Sequence, residues 1–402
     1  MSKAVIFLAD GMADNPLPEL NGKTPLEQAD TPAMDSIARE GASGVFLTLP
    51  KGFPTSSDAA NMSVLGYELD KYYPGRGPIE AVSQGIKLLD DDFAWRCNLV
   101  HVDSNGVLLD YSSGHVDDAV SRRLMLLLQE RFGSDKLVFH PGVSYRNLLV
   151  LRGEEFSARV DYHKPDSSQG ELADDLCLTP LDDSHEARHT VEFLENLKTE
   201  AAAFLATVSG LEGLSNPPNW IWPWSPGKRP CFPAFKNKYA GKSGAIISAV
   251  DVVRGIGICA GMDVIDVPGA TGYIDTNYEG KAQAALAALE THDFVYLHVE
   301  ACDECSHMGD IDLKLRSIRD FDSRIVAPVM DALKGRDVTF AVLPDHPCPV
   351  KLRKHTRTPV PVAVKGPRVT PDGVTAFSER LALTGSLGSM DKDGLMRLVL
   401  GL

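Results

Sequence analysis

Asp10, Asp303, Asp345, His307, His346 and His355 are the residue types of a metal centre, and Ser57 is the residue type of a nucleophile. Asp303 and His307 stand four positions apart, which places both on one face of a helix. Asp345 and His346 are adjacent, so they point at two metals only where a strand end bends. Three aspartates and three histidines supply mixed oxygen and nitrogen donors, enough for two metal sites. Coordination lowers the pKa of a hydroxyl, and paired metals stabilise negative charge on a phosphoryl group in transfer. Ser57 lies in the turn Pro54-Thr55-Ser56-Ser57-Asp58 ahead of a helix start, where amide N–H groups favour phosphate. Taken singly, the residues have plainer readings. Asp10, Thr55, Ser56 and Ser57 read equally as helix caps, and His355 as a surface histidine.

Each of these residues follows, or closely precedes, a short apolar run. Ala4–Ala9, Gly44–Leu49, Ser243–Val250, Asp263–Val267, Phe294–Glu300, Val338–Pro344 and Val360–Val364 are expected strands. Helical spacing is expected over Thr31–Glu40, Asp58–Leu65, Lys281–Glu290 and Asp312–Leu333. Such alternation implies an α/β fold with a mainly parallel sheet covered on both faces, and open parallel sheets place ligands beyond their carboxyl ends. The stretch from about 70 to about 235 differs in texture. It holds expected helices at Asp117–Phe132 and His185–Leu205 among turn-rich segments. Pro217–Gly227, with three of the four tryptophans, reads as a rigid linker touching the cleft. The expected division is a discontinuous metal-binding domain, 1–70 and 236–402, interrupted by an inserted domain, 71–235.

Composition narrows the function classes. The chain has 402 residues, 44 % of them hydrophobic, which suits two folded domains. A net charge of −15 gives no footprint for nucleic acid or an anionic membrane, so an anionic substrate needs locally concentrated cations. No run of apolar residues is long enough for a membrane span, and the N-terminal apolar run is too short for a signal peptide. Seven scattered cysteines suit a reducing, cytoplasmic compartment. Cys302-Asp303-Glu304-Cys305 lacks the second pair of a structural zinc site, and Gly75-Arg76-Gly77-Pro78 lacks the remainder of a phosphate loop.

Longer strings carry a family resemblance. They are Ala9-Asp10-Gly11-Met12, Ser57-Asp58-Ala59-Ala60-Asn61-Met62-Ser63-Val64-Leu65-Gly66-Tyr67 and Tyr72-Tyr73-Pro74-Gly75-Arg76-Gly77-Pro78-Ile79-Glu80-Ala81. Ala249-Val250-Asp251 with Gly255-Ile256-Gly257, Asp266-Val267-Pro268-Gly269-Ala270-Thr271-Gly272, Asp303-Glu304 with His307, and Asp345-His346 complete the set. Over nearly its whole length the chain resembles the archaeal-type cofactor-independent phosphoglycerate mutases of the alkaline phosphatase superfamily. The resemblance implies an alkaline-phosphatase-like metal-binding domain with an inserted α/β (α+β) domain that caps the substrate. It implies one metal on Asp303, His307 and His355, and another on Asp10, Ser57, Asp345 and His346. Ser57 is then the nucleophile that becomes phosphoserine, and the ions are usually manganese, with zinc, cobalt or magnesium also used. Cys305 and the run Pro347-Cys348-Pro349 depart from the family pattern without removing a ligand.

The implied reaction interconverts 3-phosphoglycerate and 2-phosphoglycerate. Carboxylate and phosphate suit bidentate arginine, and Arg96, Arg146 and Lys238 rank ahead of Arg76 and His115 as substrate-binding residues, with Arg122 and Arg123 expected to face solvent. Asp58, Glu304 and His115 are candidates for proton transfer. The alternatives are a phosphotransferase acting on homoserine and a plain metal-dependent phosphatase. The expected partner is a small phosphorylated hydroxy acid.

Overall fold

A computed structural model describes residues 3–402. The chain forms two compact units, Met1–Tyr73 with Phe232–Leu402, and Pro74–Cys231. In the first, eight strands form one sheet in the spatial order Asp263–Val264, Gly244–Ile247, Phe294–Val299, Lys3–Ala9, Val338–Leu343, Val360–Lys365, Ala42–Phe46 and Gly388–Met390. The central strands are parallel, and only Val360–Lys365 runs against both neighbours. Every residue of Phe294–Val299 and Val338–Leu343 is buried, as expected for strands covered on both faces.

Register explains why the chemistry gathers at one edge. Ala9 pairs with Val299, and Leu8 with Leu343. The residues that follow, Asp10, Glu300 and Asp345, therefore leave neighbouring strands at the same level. Between strands, the expected helix at Asp312–Leu333 is interrupted. It runs as Ile311–Phe321, a π-turn at Asp322–Val326, and Ala327–Ala332. Pro328 has no amide hydrogen to continue the α-helical ladder, and the wider turn precedes it.

The second unit is built on an antiparallel sheet. Asp92–Val102 pairs with Arg146–Arg152, Leu108–Asp110 and Trp220–Gly227, and Leu137–Val143 completes it. The helices Asp118–Phe132 and His185–Leu205 supply apolar residues to its core. The linker expected across Pro217–Gly227 is corrected here. Trp220–Gly227 is a largely buried strand bonded on one side to Asp92–Val102. Its prolines are tolerated because an edge strand need not donate on its open side.

Arg96 lies within this sheet, 2 % exposed. Its guanidinium bonds both Glu80 carboxylate oxygens at 2.5 Å and the Asn98 side-chain oxygen at 3.1 Å. Arg76 joins the same carboxylate at 2.6 Å. Removing the anion would leave a buried guanidinium unpaired. Glu80→Ala is expected to lower stability by about 3–5 kcal/mol, read from the shift in denaturant midpoint.

Candidate metal centre

Local chain geometry first sets the site. Asp10 and Gly11 follow the Lys3–Ala9 strand, and Gly11 turns with φ +63°. A Cβ at Gly11 would sit 2.4 Å from Asp303 Oδ1, so only glycine lets this turn pass so close to the carboxylate. Gly11 N–H also donates to Asp345 Oδ1 at 3.2 Å. Asp303 and His307 occupy Ala301–Met308, whose helical spacing puts both on one face. Ser57 is the first residue of the Ser57–Val64 helix.

These elements bring all seven expected residues together in two adjoining groups. Asp10, Asp345 and His346 form one, and Asp303, His307 and His355 form the other together with Cys348; within each group the donor atoms lie within 4.8 Å of one another. Ser57 Oγ is 3.2 Å from His346 Nε2, which is itself 3.3 Å from Asp10 Oδ1. His346 and His355 stack with ring centroids 3.8 Å apart, joining the groups.

The donor chemistry fits metal ions. Asp10 Oδ1 and Asp303 Oδ1 are buried and make no hydrogen bond, which is costly unless a cation takes them. His307 Nε2 and His355 Nε2 face each other at 2.9 Å, and both lie near the Asp303 carboxylate, at 3.1 and 3.3 Å. His307 Nδ1 donates to the carbonyl of Arg353 at 2.9 Å. That bond leaves Nε2 as the nitrogen facing the site, the usual arrangement of a ligating imidazole.

The two groups differ electrostatically. Burial, then the charges of Asp345 and Glu300, hold Asp10 well above the ordinary carboxylate range. Burial, with the charge of Asp303, does the same to Asp345. Burial also opposes ionisation of Asp303, but His307 and His355 overcome it and hold that carboxylate well below its usual range. Asp303 in turn raises His307.

Several supporting residues escaped the sequence reading. His298 is held at about 3, by burial and then by Lys281, and is therefore neutral. Its Nε2 lies 3.0 Å from Asp10 Oδ2, and its Nδ1 lies 3.1 Å from Ser248 Oγ. Asn61 donates to Asp345 Oδ2 and to the Ser57 carbonyl, both at 2.8 Å, and accepts from the Tyr296 hydroxyl at 2.6 Å. Lys314, fully buried, donates to Asp14 Oδ2 at 2.8 Å and to the carbonyls of Gly11 and Cys348. A polar residue inside an apolar strand or helix was the available signal for His298 and Lys314.

The other expected residues lie elsewhere. Lys238 is 3.9 Å from Asp393 and sits over the Tyr67 and Tyr239 rings. In the second unit, Arg146 covers the Tyr145 ring and His115 is exposed in a turn at φ +53°. Asp58 Oδ2 accepts from the Tyr73 hydroxyl at 2.5 Å. Among the described residues, no helix is long and apolar enough to cross a membrane.

Comparison with known proteins places this arrangement. A family model described as the metalloenzyme superfamily matches residues 2–401. A 2,3-bisphosphoglycerate-independent phosphoglycerate mutase of Methanosarcina acetivorans is 44 % identical over 99 % of both chains. The chain belongs to this family. A probable 2,3-bisphosphoglycerate-independent phosphoglycerate mutase of Geobacter sulfurreducens is also 44 % identical, again over 99 % of both chains. Among solved structures, the PH0037 protein of Pyrococcus horikoshii is similar over 100 % of this chain and 97 % of its own, with a TM-score of 0.80 at 27 % identity. A cofactor-independent phosphoglycerate mutase from Thermoplasma acidophilum matches 100 % of this chain and 99 % of its own, with a TM-score of 0.63 at 26 % identity. Membership of the metalloenzyme superfamily, with these donor groups, makes the chain a user of divalent metal.

Two predictions follow from the buried acids. Folded pKa values of Asp10 and Asp345 above the unfolded values mean that the folded, metal-free protein binds extra protons. Their stabilisation is then present below the unfolded pKa and lost as pH rises through the raised values. A divalent ion competes with those protons, so adding one should raise the melting temperature more at about pH 7.5 than at about pH 5. Thermal melts with chelator and with metal check this. His298→Ala frees the Asp10 carboxylate to rotate and should weaken metal affinity by about 10–100-fold, measured by metal titration of the stripped protein.

Proposed function

We infer that this chain is a 2,3-bisphosphoglycerate-independent phosphoglycerate mutase acting through a phosphoserine at Ser57. The observation that carries the mechanism is the place of Ser57. Its hydroxyl, 6 % exposed as a residue, opens a helix beside Asp10, Asp345 and His346. The substrate class comes from the mutases that match this chain over 99 % of its length.

Asp10, Ser57, Asp345 and His346 are proposed to hold one ion, and Asp303, His307 and His355 a second. When bound, two divalent ions supply charge that favours the Ser57 alkoxide and neutralises phosphoryl oxygens. The oxygen-rich first group suits manganese, the ion that the family resemblance implies.

The chain's own groups do the rest. The first helical bond runs from Ala60 N–H to the Ser56 carbonyl, so the amides of Ser57, Asp58 and Ala59 have no partner within the helix. Those amides suit phosphate oxygens. Ser57 Oγ forms a bond to phosphorus as the bond from phosphorus to the 3-oxygen of the substrate breaks, and the departing oxygen takes up a proton. The 2-hydroxyl of glycerate then gives up its proton, attacks the phosphoserine and restores Ser57. Asp58, Glu304 and His115 remain the proposed proton carriers. The second unit, Pro74–Cys231, is proposed as the substrate-capping domain. Arg76, Arg96, Arg146 and, from the first unit, Lys238 are proposed cations for substrate carboxylate and phosphate.

Ser57→Ala tests the reading. It should abolish formation of 2-phosphoglycerate while lowering stability by no more than a lost helix cap, about 1 kcal/mol. Quenching the wild-type reaction and mapping the phosphopeptide should place phosphate on Ser57. Full activity in the variant would remove the covalent mechanism.

A further inference from the structure

The group around Asp303 contains a donor that the mechanism does not use. Cys348 is fully buried, and its Sγ lies 3.9 Å from His307 Nε2. Sγ also falls within 4.8 Å of donor atoms from Asp303 and His355. A four-coordinate ion with thiolate at about 2.3 Å and imidazole at about 2.0 Å separates those two ligand atoms by roughly 3.5 Å. The observed spacing needs little closing.

The sulfur is also held in position. Cys348 stands between Pro347 and Pro349, which restrict the backbone on both sides. Its N–H donates to the carbonyl of Ala13 at 3.1 Å, and its carbonyl accepts from Lys314 Nζ at 2.9 Å. Val350 N–H donates to Asp14 Oδ2 at 2.9 Å, so the Asp14–Lys314 pair pins both sides of the residue. Two observations besides the cysteine point to a cation here. Asp303, 4 % exposed, presents a buried Oδ1 that makes no hydrogen bond. The bond from His307 Nδ1 to the Arg353 carbonyl leaves Nε2 as the ligating nitrogen.

We propose that Cys348 is the fourth ligand of the ion held by Asp303, His307 and His355, giving a site of two nitrogens, one oxygen and one sulfur. The proposal rests on the reading of those three residues as metal ligands and extends it. Sulfur changes which ion fits. Thiolate selects zinc or cobalt over manganese, whereas Asp10, Ser57, Asp345 and His346 are oxygen-rich. The centre is thereby a mixed one, with a thiophilic ion beside a harder one. On binding, the thiol proton passes to solvent and sulfur bonds the ion; no oxidant or reductant takes part.

The test is spectroscopic. The full chain, stripped by chelation and reloaded with cobalt(II), should show a near-ultraviolet thiolate-to-cobalt charge-transfer band. Cys348→Ser should still bind cobalt, with its weaker visible bands, and lose the charge-transfer band. With zinc and manganese in competition, the zinc preference of the variant should fall at least about tenfold, read as metal content. Bound cobalt without the charge-transfer band in the wild type, or a band or zinc preference unchanged in Cys348→Ser, overturns the proposal and leaves the three-residue site standing. A wild-type chain that takes up no cobalt overturns the three-residue reading, and the proposal with it. If Cys348→Ser fails to fold, X-ray absorption of the zinc-loaded wild type decides. One sulfur neighbour supports the proposal, and a shell of nitrogen and oxygen alone overturns it.

Discussion

A cluster of carboxyl groups in a dry place is the constraint on which the rest of this structure depends. Asp10, Asp303 and Asp345 are buried at one edge of a sheet, with Glu300 beside them. Moving carboxylates from water into such surroundings is costly unless they are neutralised. His307 and His355 do this for Asp303, whereas the nearby lysines are engaged elsewhere. Lys281 donates to the His298 carbonyl, and burial pushes it down to about 8. Lys314 is occupied by Asp14, and His298 is neutral. Divalent metal is what satisfies this arrangement, which ties metal use to folding as closely as to catalysis.

Such a cluster must be assembled from segments far apart in sequence, and the parallel sheet accomplishes it. Neighbouring strands end at one level, so a single residue beyond each strand is enough to converge. Small, buried polar contacts then set the fine positions. Asn61 ties the Ser57–Val64 helix to Asp345, His298 contacts Asp10, and the Asp14–Lys314 pair joins the Gly11 turn to the loop after His346. Lys314 lies in the helix Ile311–Phe321, so that helix is anchored to the site as well as to the core.

This division of labour decides what could be read in the sequence. The strands carrying Asp10, Glu300 and Asp345 were legible because buried parallel strands are short, continuous and apolar and end at polar loops. The i,i+4 pairing of Asp303 and His307 was legible for the same local reason. His298, Lys314 and Asn61 were not, since each lies within a strand or helix and acts chiefly through partners 34 to 303 positions away, a relation no local pattern encodes. Trp220–Gly227 was misread because proline was taken as a sign of linker, whereas an edge strand accommodates it. Cys348 was visible only as an odd residue between two prolines; its place beside His307 depends on a turn fixed by Ala13 and Lys314.

The opposite electrostatics of the two donor groups suggest different duties within one centre. Around Asp303, two imidazoles already offset the carboxylate, so an ion there replaces an internal ion pair and gains from the shape of the donor set. Around Asp10 and Asp345 burial and neighbouring carboxylates disfavour the charge, so a cation there gains chiefly from electrostatic relief. Ser57 opens onto the second group through His346. The proposed nucleophile thus stands beside the group holding Asp10 and Asp345, where a bound cation would favour its alkoxide. Charge relief beside that hydroxyl is what a phosphoryl group needs if it is to be taken up and returned at the same serine.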